Sequence, residues 1–499
     1  MISGGTALME YGFALYKVSN ADGCQNVTIQ NCTITLSRDN TTTGAGPVPE
    51  GSIGIELVNS RPSAAVTTLT PATATGQQSN NKFYGNTIQN VNIGIALIGI
   101  TAAPPYTNGD RGNDVGGSTA GTGNTIINFG GGAAATNPSA GIRTLNQYDL
   151  NIANNTINSN NGSGVDHPAL IRGIYTNTAP GAAETISTNT ITLHGGGAAG
   201  SVLGIDNAAG STAFSNTISI TNNQVLNSTT SSSGTFYGIR NTSSATTASI
   251  TGNTVKGNTT NVTNTFNGIS NTGIVASLVV TGNIIQGNTM NSNNIFSAIS
   301  NSGAVTTTIT LSSNQIGNGT GGPVTFAAAN SATQNFISNT AGAATAALTI
   351  SSNNFQGISY SVAGTGSNTY ILNSAATLSQ TISSNTFNGL NINTSGNITF
   401  ISNNVSLSGT GTQTINNNSI VGTFTKSASP GTVTIYTSTT AVSASGSVSN
   451  MSGNNFSGIS VTGAAAIAGV VITDTGSANR QITGTHLATG RVVQALQRF

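Results

Sequence analysis

One asparagine recurs along this chain at a nearly constant step, and that step limits what the chain can fold into. The pattern is apolar-x-x-Asn-x-apolar, running from Ile152-Asn155-Ile157 to Met451-Asn454-Phe456. Its ten copies carry Asn155, Asn189, Asn223, Asn253, Asn283, Asn314, Asn353, Asn385, Asn418 and Asn454, at steps of 30 to 39 residues. A second ladder, small-Ile-x-Asn, follows the first. It holds Gly204-Ile205-Asn207, Gly238-Ile239-Asn241, Gly268-Ile269-Asn271 and Ala298-Ile299-Asn301. Gly173-Ile174-Asn177 is read as a copy one residue longer, and Asn330, Ile371-Asn373 and Ile401-Asn403 as its continuation. Phe236, Phe266, Phe296 and Phe326 repeat at intervals of thirty.

Short Thr-, Ile- and Val-rich runs between Gly, Asn and Ser are strands, and no 3.6-residue stripe competes with them. One rung of such strands cannot bury its own apolar face. Stacking rung on rung pairs every backbone group with the next coil. The fold class expected is therefore all-β, a parallel β-solenoid with rungs of about thirty residues. Within Ile-x-x-Asn-x-Val the Ile and the Asn differ in strand parity, so the chain must bend between them. Gly252 and Gly282 stand at that bend, where positive φ favours Gly or Asn. Inward Asn side chains would then bond the turn backbone and one another from coil to coil. The Phe side chains would stack in the same way.

Three regions are expected: irregular rungs with long loops over 1–130, regular rungs over 131–473, and a tail or cap over 474–499 with a short helix near its end. Segments 61–80 and 101–123, rich in Pro, Thr, Gly and Ala, are the long loops.

Charge narrows the function classes. Only 5% of the 499 residues are charged and the net charge is +1, so no basic surface exists to attract nucleic acid or an anionic membrane. No apolar run reaches the ~20 residues of a membrane-spanning helix. Met1 is not followed by a leader pattern, and the chain is read as an interior piece of something longer. The spacing of Cys24 and Cys32 fits no metal motif, leaving a local disulfide or two small buried thiols.

The segment Asp22-Gly23-Cys24-Gln25-Asn26-Val27-Thr28-Ile29-Gln30-Asn31-Cys32 resembles the coil signature of single-stranded right-handed parallel β-helix proteins of pectate-lyase-like architecture. The Asn-Thr-Ile and Gly-Ile-x-Asn-Thr ladders resemble giant exported β-strand-repeat surface proteins of Bacteroidota-type bacteria. The resemblance spans roughly 20–470. It implies a secreted, cell-surface location, neighbouring domains of a longer chain, and a scaffold, adhesin or stalk role that binds polysaccharide or a surface glycan. It also implies an alternative, since carbohydrate-active lyases and hydrolases share this architecture.

That alternative meets a hard limit. Residues 257–425 contain no Asp, Glu, Lys, Arg or His, so acid–base chemistry has no groups to use there. Eleven of the twelve acidic residues lie in the first 210, which confines any active site to that part, and the enzyme alternative places it in residues 100–210. Two clusters qualify. Asp110, Asn113 and Asp114 lie in a Gly-rich loop that could wrap Ca²⁺, which takes six to eight oxygens. Asp166 and His167, with Arg143, Asp149 and Arg172 on adjacent rungs, are the catalytic candidates; the competing reading of both clusters is solvated turn charge. No other cofactor is expected. Thr-x-Thr runs such as 306–310 invite a hydroxyl-face reading for sugar or ice, but no constant register is apparent, so uncharged strand-formers on a wetted sheet are expected.

Overall fold

In a computed structural model, described over residues 11–40, 51–61, 69–132, 135, 137–197, 199–438, 442–473, 475–476 and 478–487, the chain is a parallel β-solenoid with almost no helix. Two three-residue 3₁₀ turns, Ala74–Gly76 and Ala120–Thr122, are its only helical pieces among the described residues. The chain divides into two compact units, Met1–Ser249 and Ile250–Phe499, each built from the same coil.

A coil has three strand faces. The first carries the Gly-Ile-x-Asn ladder. In the first unit it stacks Tyr11–Leu15, Ile53–Val58, Ile93–Ile98, Ser139–Leu145, Ile171–Thr176, Val202–Asn207 and Phe236–Asn241. In the second unit it runs from Thr265–Asn271 to Ala466–Ile472. The second face carries the strands before the ladder asparagine, such as Glu184–Ser187 and Ala347–Ser351. The third carries the short strands after it, such as Thr190–Thr192 and Asn354–Gln356. The pairings between these strands are parallel, with a register shift between Asn388 and Leu390 on the third face, and Ile, Val, Leu and Phe from successive coils stack into buried columns at the inward positions.

The asparagine column forms as the spacing predicts, and its bonds explain that spacing. The backbone N–H and Nδ2 of Asn283 both donate to Asn314 Oδ1, at 3.0 and 2.9 Å, while Nδ2 also donates to Ile250 O at 2.9 Å. The same triple runs through Asn314, Asn353, Asn385 and Asn418, and in the first unit through Asn86, Asn124, Asn155 and Asn189. In the second unit, and at Asn124 and Asn189 in the first, the carbonyl that the amide caps belongs to the apolar residue opening the motif one coil earlier. Fixing that residue three positions before the Asn places its carbonyl under the corner, where the ladder would otherwise leave it unpaired.

The bend before each asparagine is left-handed, but glycine does not own it. Gly282 and Gly453 have φ of 65° and 61°, while Ser313, Ser352, Ser384 and Asn417 hold 55–56° in the same place. The corner bonds outweigh the cost of a left-handed serine.

Three register expectations are corrected. In the second ladder, Thr176 rather than Asn177 occupies the inward position, donating to Asn207 Oδ1 at 2.6 Å. Asn339, not Asn330, follows Asn301 in the column, at 2.7 Å. Phe266 and Phe296 do stack, with centroids 5.2 Å apart and planes at 17°. Phe326 leaves that column: it pairs with Met290 on the third face and stacks on Tyr360 instead. The cause is one long coil, with Asn301 and Asn339 separated by 38 residues, so a step of thirty from Phe296 lands on a different face.

The described coils also run past the expected end of the repeat. Strand Asn479–Thr483 pairs with Val448–Ser452, and His486 bridges Asn455. The helix expected near the end lies outside the described residues, as do Arg491 and Arg498 and part of the 61–80 loop.

Candidate functional site

Charge concentrates on the outward side of the first face in the first unit. Two outward columns run there. One brings Arg143, Tyr175, Asp206 and Arg240 side by side on successive coils, and the other brings Arg172, Leu203 and Tyr237. Asp206 is the centre. Its side chain is only 2% exposed, and two guanidiniums close on it from the coils on either side. Arg172 Nε donates to Oδ2 at 2.7 Å; Arg240 Nε donates to Oδ1 at 2.8 Å and its second nitrogen to Oδ2 at 2.9 Å. Each arginine lies over a tyrosine of its own strand, Arg172 at 3.9 Å from the Tyr175 ring centre and Arg240 at 5.1 Å from that of Tyr237. Hydrogen bonding and the Asp206 charge push the Arg240 pKa up against the opposing effect of burial. Both arginine side chains keep contact with solvent, at 13% and 26% exposure.

The catalytic candidates do not come together as one cluster. Of the five, Arg143 and Arg172 share this face. Asp149 stands at a corner with φ of 52° and faces Arg111 at 3.5 Å. Asp166 accepts from Asn160 Nδ2 at 3.0 Å and lies 3.9 Å from His194 Nδ1, which also contacts the Thr229 hydroxyl at 3.0 Å. Burial holds the His194 pKa down against the pull of Asp166. His167 is fully buried, its Nδ1 accepting from the Gly131 N–H at 3.1 Å, and burial lowers its pKa.

The three residues considered for calcium separate as well. Asn113 is a corner amide: its Oδ1 accepts from the Asn81 N–H at 3.0 Å, and its Nδ2 donates to Gln147 Oε1 at 2.7 Å. Asp114 accepts from the Tyr84 hydroxyl at 2.5 Å and from Asn151 Nδ2 at 2.7 Å. Asp110 points inward and is fully buried, accepting from the Gln78 N–H at 2.8 Å and from Asn59 Nδ2. Burial raises its carboxyl pKa to about 6. Asp110, Asp114, Asp149 and Asp166 thus engage four separate sets of partners. Among the described residues no group of three or more His, Cys, Asp or Glu is gathered around a point where a metal ion would sit. Cys24 and Cys32 are free thiols, each half-buried.

Asp206, Arg240 and Tyr237 were not singled out from sequence, yet a signal was present. Arg240 follows Asp206 by 34 residues, which is one coil, and Arg172 precedes it by 34, one coil of 31 residues and three positions more. Opposite charges one repeat step apart become neighbours in any solenoid.

A further departure concerns the hydroxyls. On the second face of the second unit, Thr310, Thr349, Thr381 and Thr414 do fall in one column at constant register, beside Ser312, Ser351 and Ser383. The unequal spacing of these runs in sequence hides a register that the coils restore.

No family model matches this chain, and no curated protein matches it. Among solved structures the comparison gives a PL6 family alginate lyase, AlyGC, at 9% identity, covering 95% of this chain and 96% of that one, with a TM-score of 0.15. A likeness at that score carries no argument about function. Among the described residues no helix is long and apolar enough to cross a membrane.

Proposed function

We propose that this chain is a non-catalytic extracellular or cell-surface scaffold, an adhesin or stalk segment, which binds an acidic glycan across the Arg–Tyr columns of its first face. The observation that carries this reading is the Arg172–Asp206–Arg240 clamp. Asp206 is engaged by guanidiniums from both sides and nearly removed from water, and the other carboxylate of that face, Glu56, is fully buried further along the same column. The arginines around Asp206 outnumber it and remain at the surface, with tyrosine rings beside them. Guanidinium groups match carboxylate and sulfate geometry, and the tyrosines add flat area for sugar rings. Export and attachment to neighbouring domains belong to the same reading, because a stack of uncharged coils suits a spacer that carries its recognition groups in one short stretch.

Retention of the 499-residue chain on immobilised polygalacturonate, compared with a neutral glucan, tests this. Retention on the acidic polymer only, lost at raised salt and in the R172A/R240A variant, is expected. Depolymerisation of the acidic polymer, followed by new reducing ends or unsaturated products, would overturn it in favour of the lyase or hydrolase reading.

A further inference from the structure

Near the start of the first unit a lysine and an aspartate are buried on either side of an asparagine that bonds both. Lys17 follows the strand Tyr11–Leu15, Asn59 ends the next strand of the same face after Ile53–Val58, and Asp110 comes from the strand Asp110–Arg111. All three residues are within 1% of full burial. Lys17 Nζ donates to Asn59 Oδ1 at 2.7 Å and to Leu69 O at 3.3 Å. Asn59 Nδ2 donates to Asp110 Oδ2. Gln78 pins the same junction, its N–H bonding Asp110 Oδ1 at 2.8 Å and its Nε2 bonding Val58 O at 2.6 Å.

We propose that Lys17 and Asn59 join in an intramolecular amide cross-link, with Asp110 carrying the protons and the Asn59 side-chain nitrogen leaving as ammonia. The geometry supplies what amide aminolysis lacks in water. The amine is held against the carboxamide it must attack, which replaces a bimolecular encounter by a fixed one. A carboxyl group touches the nitrogen that must leave, where it can act as general acid. Burial disfavours the charged forms of both ionisable partners, lowering the lysine pKa and raising that of the aspartate, so a neutral amine beside a neutral acid is within reach.

The step balances without any co-reactant. By relay through the Asn59 carboxamide, which accepts from Lys17 at Oδ1 and donates to Asp110 from Nδ2, one proton passes in effect from the Lys17 ammonium to the Asp110 carboxylate. The free pair of Lys17 Nζ then attacks Asn59 Cγ, forming the Nζ–Cγ bond. Asp110 returns that proton to Nδ2 as the Cγ–Nδ2 bond breaks, then takes a second one from Nζ. One secondary amide, one ammonia and a protonated Asp110 result. The cross-link ties two coils across 42 residues of sequence, at a point where the lysine side chain already holds the strand ends together. Lys426 supplies the contrast. It is equally buried, but its Nζ donates to the backbone carbonyls of Thr394, Ala428 and Pro430, which offer no leaving group of this kind.

Intact-mass measurement of the purified, folded 499-residue chain tests the proposal, followed by proteolysis and tandem mass spectrometry. The expected result is a mass lower than the sequence mass by one ammonia, with a branched peptide joining the Lys17 and Asn59 segments. The K17R and N59A variants should show the full sequence mass, and so should D110N, which keeps the packing but removes the acid. A wild-type chain at full sequence mass overturns the proposal, and this holds even if the variants fail to fold. Loss of ammonia that persists in K17R would also overturn it, since it would come from elsewhere. Loss that persists in D110N would overturn the role given to Asp110.

Discussion

At the scale of the residue, the second unit's core is neutral amide and hydrocarbon over its middle, whereas the first unit buries acids. Glu184 is the extreme case. It is 2% exposed and points inward on the second face, where both carboxyl oxygens lack a hydrogen-bond partner. The Thr176 hydroxyl beside it is spent on Asn207 Oδ1. Burial raises its pKa from 4.5 to about 8. Between those values the folded chain holds a proton that the unfolded chain has released, so stability falls as pH rises and stops falling above about pH 8. Asp110 contributes a like slope that ends near pH 6, and the lowered histidines contribute an opposite one that ends at 6.5. From pH 6.5 to 8 Glu184 is the carboxyl that sets the falling slope, opposed by Lys17 and Lys426, whose pKa values burial lowers from 10.5. Replacing Glu184 by Gln should remove that falling slope from the urea-denaturation midpoint across the interval and stabilise the chain at pH 8, on the order of 4 kcal/mol at most. An unchanged slope in E184Q would show that the carboxyl is solvated. None of this was legible beforehand: Glu184 sits next to Thr185 in an ordinary strand, and only the register, Leu150 to Glu184 to Ile218, shows that it faces the core.

At the scale of the element, the glycine of the Gly-Ile motif is a packing requirement. A Cβ on Gly173 would meet Gly204 O at 2.5 Å and Ile191 Cγ2 at 2.5 Å, and Gly94, Gly141 and Gly204 are hemmed in alike by the next coil and by an inward Ile or Val of the third face. The first face is thus pressed directly onto the third. In the second unit the pressure eases: Ala298 takes the motif's small position, and in the next coils Phe336, Tyr370 and Phe400 fill it, stacked at 5.1 and 5.4 Å. Gly173→Ala should accordingly lower the melting temperature by several degrees, since backbone must move to admit one methyl. Gly121→Ala, with open space around its Cβ, should leave it unchanged. Equal effects from both would remove the packing argument. The ladders themselves were readable as a repeat because the corner Asn, the Gly and the Ile are each fixed by a neighbour one coil away. Coil length is not so fixed, which is why Asn177, Asn330 and Phe326 fell out of register.

At the scale of the whole molecule, a solenoid is held together by contacts between successive coils, so damage should stay local. The second unit offers the cleaner case, because 257–425 carries no Asp, Glu, Lys, Arg or His and is held by amide ladders, stacked rings and aliphatic columns. Phe266 is buried against Phe296, with its ring neighbours fixed in column and unable to collapse into the space a smaller residue would leave. Phe266→Ala should cost about 3–5 kcal/mol. Hydrogen exchange followed by mass spectrometry should show lost protection in Thr265–Asn271 and Ile295–Asn301, the two strands that share the ring stack. Protection in Thr412–Asn416 and Val448–Ser452, several coils further along the same unit, should be retained. The outcome turns on how much of the free energy lies between coils. If exchange rises evenly through all four strands, the unit melts as one body and its coils are not separable. If it rises nowhere, the Phe266–Phe296 stack contributes nothing that the flanking Ile269–Ile299 pair does not already supply.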